Sequence, residues 1–415
     1  MNKRNVILGI VALVTTILMV VIILLVSCGG DDDNETKIKE TTKTNKTTAV
    51  KDITTKEAKT TEKESGKSED TTQNQTGNEE ETQNQTTQSQ SEQNQTTKNE
   101  NSQPNEEQTT KGQSSSNNTA GLSRLHVEGT KIYDESGNVV VLNGISTHGI
   151  AWFPQYVNKD AFSTIKNSFG ANVIRIAMYT DPGAGYSTAM HTKVDEAVQY
   201  ASEVGLYVII DWHILSDNNP NMHKTEAIAF FDEMSRKYKD YSNVLYEICN
   251  EPNGGTTWNG DIKPYAEEVI ATIRRNDPIG IILVGTPTWS QDVDQAADNP
   301  ITGYDNIMYT LHFYAATHKE WIQQKLTYAI GKGIPIFISE FSICDASGNG
   351  ANDIASANTW MNILDQYNIS FVGWNLSNKS ESSAIIRSDC NKTSGWTDGE
   401  LTESGLWLVN QLRSH

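Results

Sequence analysis

The chain has 415 residues and a formal net charge of −19 at pH 7, and 36% of its residues are hydrophobic. Residues 1–119 carry 13 Lys and Arg against 18 Asp and Glu, whereas the remaining residues carry 20 against 34. This acidic balance disfavours nucleic acids and anionic polymers as partners and is compatible with a neutral one.

The first 28 residues have the pattern of an export signal. Lys3 and Arg4 precede an apolar run at 6–26 that is long enough to span a bilayer as a helix. The run ends in Ser27-Cys28-Gly29, which resembles a bacterial lipoprotein signal, and that resemblance implies cleavage before Cys28 and lipidation of its thiol. An uncleaved signal anchor is the alternative, because the run is long for a signal peptide. Both predict attachment to the extracellular face of a bacterial cell membrane.

The segment at 29–119 is polar throughout. It contains no aromatic residue, and Thr, Asn, Gln, Ser, Glu and Lys dominate its composition. Such a segment cannot bury enough apolar surface to offset the conformational entropy lost on folding. We therefore predict that 29–119 is a disordered linker and not a domain.

Residues 120–415 have the pattern of one folded domain. An N-terminal hairpin is predicted first, and eight apolar strand patterns then alternate with amphipathic helical patterns. The strand patterns lie at Ile145-Ser146, Ile174–Ile176, Val208–Asp211, Tyr246–Ile248, Ile281–Val284, Tyr309–His312, Phe337–Ser339 and Phe371–Trp374. Eight βα units over about 295 residues predict an α/β fold, a (β/α)8 TIM barrel.

A doubly wound sheet is the rival fold, but no Gly-rich phosphate-binding motif follows any of the strand patterns.

Besides Cys28, the chain has Cys249, Cys344 and Cys390. An odd number allows at most one disulfide, and no pair has metal-ligand spacing. We expect these three to be buried, unreactive thiols.

Two strand patterns end in a carboxylate. Val244–Cys249 leads into Asn250-Glu251-Pro252, and Pro335–Ile338 leads into Ser339-Glu340-Phe341. A lone strand-end Glu is commonly paired to a nearby Arg or Lys. Two such residues at the ends of buried strands instead favour a pair used for acid/base or nucleophilic chemistry.

Polar and aromatic residues follow most of the predicted barrel strands. Because the strands of such a barrel deliver their C-terminal ends to one rim, these residues are predicted to share a site. They are His148, Trp152, Arg175, Tyr179, Asp211, His213, Asn250, Glu251, His312, Tyr314, Glu340, Trp374 and Lys379.

Six motifs in this order carry a resemblance. They are Ile174–Tyr179, Asp211–Leu215, Asn250–Pro252, His312–Tyr314, Ser339–Phe341 and Trp374–Ser377. Together they resemble glycoside hydrolase family 5, and most closely its bacterial endo-β-1,4-glucanases (cellulases). The resemblance covers Arg124 to the C-terminus and none of the linker. Asn-Glu-Pro alone occurs in many barrel glycosidases, whereas the ordered set is specific.

The resemblance implies a retaining mechanism with two glutamates. Glu251 would be the proton donor and base, with a pKa raised by its proximity to Glu340, and Glu340 would be the nucleophile, kept ionised by Arg175. Tyr314 would donate a hydrogen bond to the nucleophile, and Asn250 would bind the sugar 2-OH.

The same resemblance implies the substrate contacts. His148, His213 and His312 would orient hydroxyls and the acid/base network, while Trp152, Tyr179 and Trp374 would stack on sugar faces. Lys379 and Glu381 would contact the distal glucose on the non-reducing side. No metal or cofactor is required, and we expect Glu247, deeper on the same strand as Glu251, to be a structural barrel residue.

The implied function is hydrolysis of internal bonds in cellulose and related β-glucans, by a monomer held at the membrane through its lipid or anchor. Mannan, xyloglucan and mixed-linkage β-glucan are alternative substrates, because discrimination depends on side-chain placement that sequence shows poorly. A non-catalytic polysaccharide-binding barrel or a wall-adhesion spacer is disfavoured by the presence of both glutamates. No separate carbohydrate-binding module is visible.

Overall fold

The computed structural model describes Thr119 and residues 121–415. The predicted signal or anchor segment at 1–28, including Cys28, lies outside the described residues. The predicted linker lies outside them as well, apart from its last residue.

A small antiparallel sheet opens the described part of the chain. Its strands are β1 (His126–Glu128), β2 (Lys131–Tyr133) and β3 (Val139–Val140). The turn between β2 and β3 is held by the carboxylate of Asp134, which accepts from the backbone N–H of Ser136 at 2.9 Å and of Asn138 at 2.8 Å. Asp is favoured in turns because its side chain can accept from backbone two residues on.

Eight parallel strands then form a closed barrel, in which each strand pairs with the next and the last pairs with the first. They are β4 (Asn143–Thr147), β5 (Val173–Tyr179), β6 (Tyr207–His213), β7 (Val244–Glu247), β8 (Ile282–Val284), β9 (Ile307–Tyr314), β10 (Ile336–Ser342) and β11 (Phe371–Leu376). The predicted (β/α)8 barrel is therefore confirmed, and the doubly wound alternative is wrong.

One principal helix follows each barrel strand. These helices are α1 (Lys159–Asn167), α2 (Ala189–Val204), α3 (Lys224–Tyr238), α4 (Lys263–Asn276), α5 (Val293–Asp298), α6 (Glu320–Gly331), α7 (Ile354–Tyr367) and α8 (Glu403–Ser414). Asn158 caps α1 by accepting from the N–H of Ala161 at 2.8 Å, and Gly205 ends α2 in the left-handed conformation with φ 78°. Within the described residues, no helix is long and apolar enough to cross a bilayer.

The apolar core has two layers. The larger fills the space between the barrel and the helices, and it includes Cys249. The smaller fills the barrel's lower interior with residues near the strand starts, such as Val173 and Leu245, and is closed from below by Leu125 and Ile132 of the N-terminal segment. This plug leaves the C-terminal ends of the strands as the open face.

Two features of the N-terminal segment and the thiols complete the fold. Ser242, which precedes β7 at the plugged face, donates from Oγ to Thr119 Oγ1 at 3.1 Å, so the described chain begins at that face. Cys249, Cys344 and Cys390 are buried, as expected, and they form no disulfide with one another.

Candidate active site

A cleft of about 640 Å³ opens at the C-terminal ends of the barrel strands. It is lined by most of the predicted site residues: His148, Trp152, Tyr179, His213, Glu251, His312, Tyr314, Glu340, Trp374, Lys379 and Glu381. Arg175 and Asn250 are completely buried directly beneath its floor. The barrel thus gathers every one of these residues on its open face.

Glu251 and Glu340 face each other across the cleft floor. The backbone of Glu251 still donates to the carbonyl of Ile214 at 3.3 Å, and Pro252, which has no N–H, follows it. Glu340 lies within β10, where it pairs with His312 of β9. A carboxylate oxygen of Glu251 lies within 4.8 Å of one of Glu340.

The two oxygens of Glu340 have different partners. The hydroxyl of Tyr314 donates to Oε1 at 2.8 Å, and Nη1 of Arg175 donates to Oε2 at 3.2 Å. Burial raises the pKa of Glu340 and Glu251 raises it further, while His312, Arg175 and His213 lower it. Arg175 thus lowers this pKa as expected, but burial and Glu251 outweigh it, so the net direction is upward and not downward.

Glu251 is also buried, and its Oε1 lies 2.9 Å from Nδ1 of His312. Burial raises the pKa of Glu251 to about 8, Arg175 opposes this, and Asp211 and Glu247 add to it. The predicted direction is correct, but the cause is burial rather than proximity to Glu340. Glu340 accepts from two donors, which favour its ionised form, so a proton shared by the pair resides on Glu251.

Arg175 is the centre of a buried polar network under the floor. Its Nε donates to Glu247 Oε2 at 2.7 Å, and its Nη2 lies 3.0 Å from Asp211 Oδ2. Burial alone would lower the pKa of Arg175, but the charges of Asp211, Glu247 and Glu340 raise it. The guanidinium is therefore permanently positive and fixed by carboxylates on three sides.

Asn250 is oriented by the same network. Its Oδ1 accepts from Nη2 of Arg175 at 2.6 Å, and its Nδ2 donates to the carbonyl of Ile214 at 3.0 Å. The same Nδ2 lies 3.2 Å from Nε2 of His213, whose Nδ1 lies 2.6 Å from Asp211 Oδ2. Asp211 thus fixes His213 with its proton on Nδ1, and Arg175 fixes which way the Asn250 amide points.

An aromatic group forms one end of the cleft. Trp374 stacks on His213 with centroids 5.2 Å apart and planes at 12°, and Trp152 lies 4.7 Å from Tyr179. Trp152 is 47% exposed, so its face is open to a ligand. His148 lies among these rings, where burial and the charge of Lys379 lower its pKa to about 3 and keep it neutral.

Lys379 and Glu381 lie beside this aromatic end. Lys379 Nζ contacts Glu381 Oε2 at 2.7 Å and is 3.4 Å from Nε2 of His148. The Nδ2 of Asn375 donates to Glu381 Oε1 at 3.0 Å, which holds the carboxylate in place. The structure therefore brings both residues to the cleft wall, where their predicted contact with a sugar stays a prediction.

The opposite wall contains residues that the sequence analysis missed. Trp289, Gln291 and His318 line it, and Trp289 is 45% exposed. Trp289 follows β8, and no charged residue at the end of that strand indicated a site. A Trp five residues after an apolar strand pattern was the available signal.

Backbone geometry places Trp289 there. Thr288, Trp289 and Ser290 all have positive φ, between 55° and 57°, which is uncommon for residues with side chains. Gly285 makes the approach possible, because a Cβ at this position would lie 2.1 Å from the carbonyl oxygen of Cys249. The N–H of Trp289 then donates to the carbonyl of Pro252 at 3.0 Å, which links this wall to the Glu251 segment.

Within the described residues, Glu251, His312 and Glu340 form the one cluster of at least three side chains with metal-ligand spacing. Both ring nitrogens of His312 are already engaged, by Glu251 and by Ser339. Metal coordination there would occupy both carboxylates of the pair. The close spacing is that of an acid and a nucleophile acting on one bond, and the prediction that no metal is required stays a prediction.

Comparison with known proteins identifies relatives of this domain. Residues 133–380 match the family described as Cellulase (glycosyl hydrolase family 5). An endoglucanase of Clostridium saccharobutylicum is 50% identical over 291 residues, which cover 70% of this chain and 65% of the relative. Endoglucanase A of Butyrivibrio fibrisolvens is 48% identical, covering 70% of this chain and 68% of the relative. The chain thus spans about two thirds of the length of these curated relatives.

A solved structure of an endoglucanase is also similar to this chain. The catalytic domain of Thermobifida fusca endoglucanase Cel5A, as a variant in complex with cellotetraose, is 36% identical to this chain with a TM-score of 0.65. That similarity covers 71% of this chain and 99% of the solved one.

Proposed function

The chain belongs to glycosyl hydrolase family 5, and on that premise we propose that it is a retaining endo-β-1,4-glucanase with Glu251 as acid/base and Glu340 as nucleophile. The observation that carries the proposal is the carboxylate pair, with oxygens within 4.8 Å of each other. Inverting enzymes need about 6.5–9.5 Å between the carboxyl groups to admit a water, whereas retaining enzymes need about 5–5.5 Å.

In the first step, Glu340 attacks the anomeric carbon while Glu251 gives its proton to the departing glycosidic oxygen. Glu251 holds that proton near neutral pH because its pKa is raised to about 8. Tyr314 and Arg175 each hold one oxygen of Glu340, which fixes the carboxylate for attack along one direction. The bond from carbon to the leaving oxygen breaks as the bond to Glu340 forms.

In the second step, the carboxylate of Glu251 takes a proton from water, and the water oxygen displaces Glu340 from the anomeric carbon. Two displacements at the same carbon restore its configuration. We propose that Asn250, held by Arg175 and by the carbonyl of Ile214, binds the 2-OH of the sugar in the transition state.

The shape of the cleft supports a polymeric, neutral substrate. Aromatic side chains line the cleft from opposite sides of the barrel: Trp152, Tyr179 and Trp374 belong to the β4, β5 and β11 side, and Trp289 follows β8. Flat β-1,4-linked glucose residues present apolar faces to such rings. Rings that follow strands on opposite sides of the barrel would bind sugars on both sides of the bond that is cut, which favours attack on internal bonds, and the relatives' name, endoglucanase, is in line with this.

The test is hydrolysis of a panel of polysaccharides: soluble cellulose, barley glucan, xyloglucan and mannan. We expect reducing sugars from soluble cellulose, with a fall in viscosity that precedes extensive release of short products. Preference for mannan or xyloglucan would keep the mechanism and replace the substrate. Binding without hydrolysis of any polymer would favour a non-catalytic polysaccharide-binding barrel.

We also propose that the protein is attached to the extracellular face of the cell membrane. Support comes from the sequence at 1–28, with its basic start, apolar run and Cys28. Lipidation and an uncleaved anchor are the two forms that this proposal can take.

A further inference from the structure

A chain of buried hydrogen bonds connects the two glutamates from behind. We call His312, Ser339, Glu247 and Arg175 the buried relay. Starting at Glu251, Nδ1 of His312 lies 2.9 Å from Oε1, and Nε2 of His312 lies 2.9 Å from Ser339 Oγ. Ser339 Oγ then donates to Glu247 Oε1 at 2.7 Å.

The other half of the relay reaches Glu340. Glu247 Oε2 accepts from Nε of Arg175 at 2.7 Å, and Nη1 of Arg175 donates to Glu340 Oε2 at 3.2 Å. All four relay side chains are at most 1% exposed. Among the residues that the structure describes, Glu247 is therefore the one carboxylate that this relay connects to both glutamates, although it contacts neither of them and does not line the cleft.

The directions of these bonds fix the proton positions. Glu247 accepts from Arg175 at both oxygens, at 2.7 and 3.2 Å, and from the Ser339 hydroxyl. Burial raises the pKa of Glu247 and Arg175 opposes the rise. The three donors around this carboxylate favour its ionised form. The single proton of Ser339 is then committed to Glu247, so its oxygen can only accept from His312, and His312 must carry a proton on Nε2.

A neutral His312 with its proton on Nε2 turns the lone pair of Nδ1 towards Glu251. That lone pair can be satisfied only if Glu251 supplies the proton. The charged and titratable groups that act on His312 are Glu247, Glu251, Glu340, Arg175 and His213. Burial lowers the pKa of His312 to about 4, against the pull of the carboxylates, so the ring stays neutral when the enzyme works.

We propose that Glu247 is a positioning residue for both catalytic glutamates: through Ser339 it sets the tautomer of His312 that keeps the proton on Glu251, and through Arg175 it holds the guanidinium on Glu340. The effect of Glu247 on catalysis rests on the proposed function. The tautomer itself is a property of the resting protein. After Glu251 has protonated the leaving group, its carboxylate faces the same lone pair, which favours recovery of a proton from the attacking water.

The decisive variant is Ser339→Ala, which removes one hydroxyl and no charge. Without an acceptor at Nε2, His312 can carry its proton on Nδ1 and donate to the Glu251 carboxylate. We expect the alkaline limb of kcat/KM to move to lower pH by about one unit, with the acidic limb unchanged. Ser339→Thr keeps the hydroxyl and should return the alkaline limb of kcat/KM to its wild-type pH.

Ser202→Ala is the matched control, because Ser202 is a buried hydroxyl on α2 that bonds only to Val198 and Asn243. It should lower the melting temperature without moving either limb. Glu247→Gln removes a negative charge near both Arg175 and His312, so both limbs should move to lower pH. If Glu247→Gln does not fold, Ser339→Ala still decides.

Nitrogen NMR of protein with ¹⁵N-labelled histidine gives a readout that needs no substrate. The wild type should show His312 as the Nε2–H tautomer, assigned by comparison with a His312→Gln variant, and Ser339→Ala should lose that signature. A wild-type Nδ1–H tautomer, or an unshifted alkaline limb in an active Ser339→Ala enzyme, would overturn the proposal. An inactive wild type with the Nε2–H tautomer would instead count against the proposed function alone.

Discussion

Tyr314 donates its hydroxyl to Oε1 of Glu340 at 2.8 Å, while the other oxygen of that carboxylate is the one held by Arg175. Both oxygens of the nucleophile therefore accept hydrogen bonds, from groups on two different strands, β9 and β5. Once the anomeric carbon has bonded to one oxygen, the charge on the carboxylate is lost, and the bond from Tyr314 weakens.

Tyr314→Phe removes this bond and little else. Hydrogen bonds to charged groups contribute about 1.5–3 kcal/mol, so we expect kcat/KM on soluble cellulose to fall roughly 10- to 100-fold. The acidic limb should move to higher pH, because the ionised nucleophile loses a donor. Tyr328→Phe, an exposed tyrosine on α6, is the control, and equal rates for Tyr314→Phe and wild type would contradict the assigned contact.

The roles of the two glutamates can be separated by stereochemistry. Glu251→Ala should still form the glycosyl-enzyme from a substrate such as dinitrophenyl cellobioside, whose leaving group needs no protonation, and should then stall. Added azide needs no general base, so it should restore turnover and give a β-glycosyl azide.

Glu340→Ala should lose several orders of magnitude in turnover with every leaving group. Azide can then attack only from the face that the nucleophile occupied, and the product should be the α-glycosyl azide. An α product from Glu251→Ala would mean that acid/base and nucleophile are assigned the wrong way round.

Burial of Glu251 should make stability depend on pH. Its pKa is about 8 in the folded protein against an ordinary value of 4.5. Between these values the folded state keeps a proton that the unfolded chain has lost, so the free energy of unfolding falls as pH rises from 4.5 to 8.

Glu251→Gln cannot ionise and should escape that loss. Its free energy of unfolding should exceed that of the wild type at pH 8 by on the order of 4 kcal/mol, and the difference should vanish near pH 4. Thermal melts across this range measure it. Glu128→Gln, at an exposed position, keeps Glu251 and should follow the wild type across this range. A difference between Glu251→Gln and wild type that stays constant with pH would refute the linkage.

Trp289 should act on the side of the cleft that faces away from Trp374. Trp289→Ala removes an aromatic platform, and stacking of this kind contributes about 0.5–1.5 kcal/mol. We expect KM for long oligosaccharides to rise several-fold, with little change for short substrates that occupy only the other side.

Trp289→Phe should retain part of the platform. Trp321→Ala, an equally exposed tryptophan outside the cleft lining, should leave KM unaltered. A uniform loss on short and long substrates would show that Trp289 serves the fold of its loop instead of the ligand.

The membrane proposal depends on Cys28. If this thiol carries a lipid, Cys28→Ala should leave the signal uncleaved, as seen by mass, or release the protein from the lipoprotein fraction. Unchanged mass and partitioning would favour the signal anchor. Recovery of wild-type protein from the soluble fraction of cells would contradict both forms of the proposal.

The barrel and the two glutamates were predictable because strand period and strand-end chemistry are both local. Glu251 follows an apolar strand and precedes proline, so the sequence alone shows where its backbone pairing stops. Trp289 was not predictable in the same way, because its position depends on a left-handed backbone and on the close approach of Gly285 to Cys249.

Glu247 illustrates a second limit of prediction from the sequence. Its spacing from Glu251 places it correctly on the inner side of the barrel wall, but its partners come from β5 and β10, far away in sequence. The pKa of Glu340 was misjudged for a related reason. Arg175 divides its charge among three carboxylates, and sequence does not reveal how many groups compete for one cation.

The plugged lower face of the barrel gives the protein a built-in orientation. The described chain begins there, with Thr119 bonded to Ser242, while Lys379 lies beside the mouth of the cleft with its side chain half exposed. A solid support joined through the N-terminal end would leave the cleft directed at the solution, whereas random coupling through amines would modify Lys379 and obstruct it. A large polymer can reach only clefts that face the solution. The fraction of immobilised molecules that is active would then depend more on how they are attached than on how much protein is loaded.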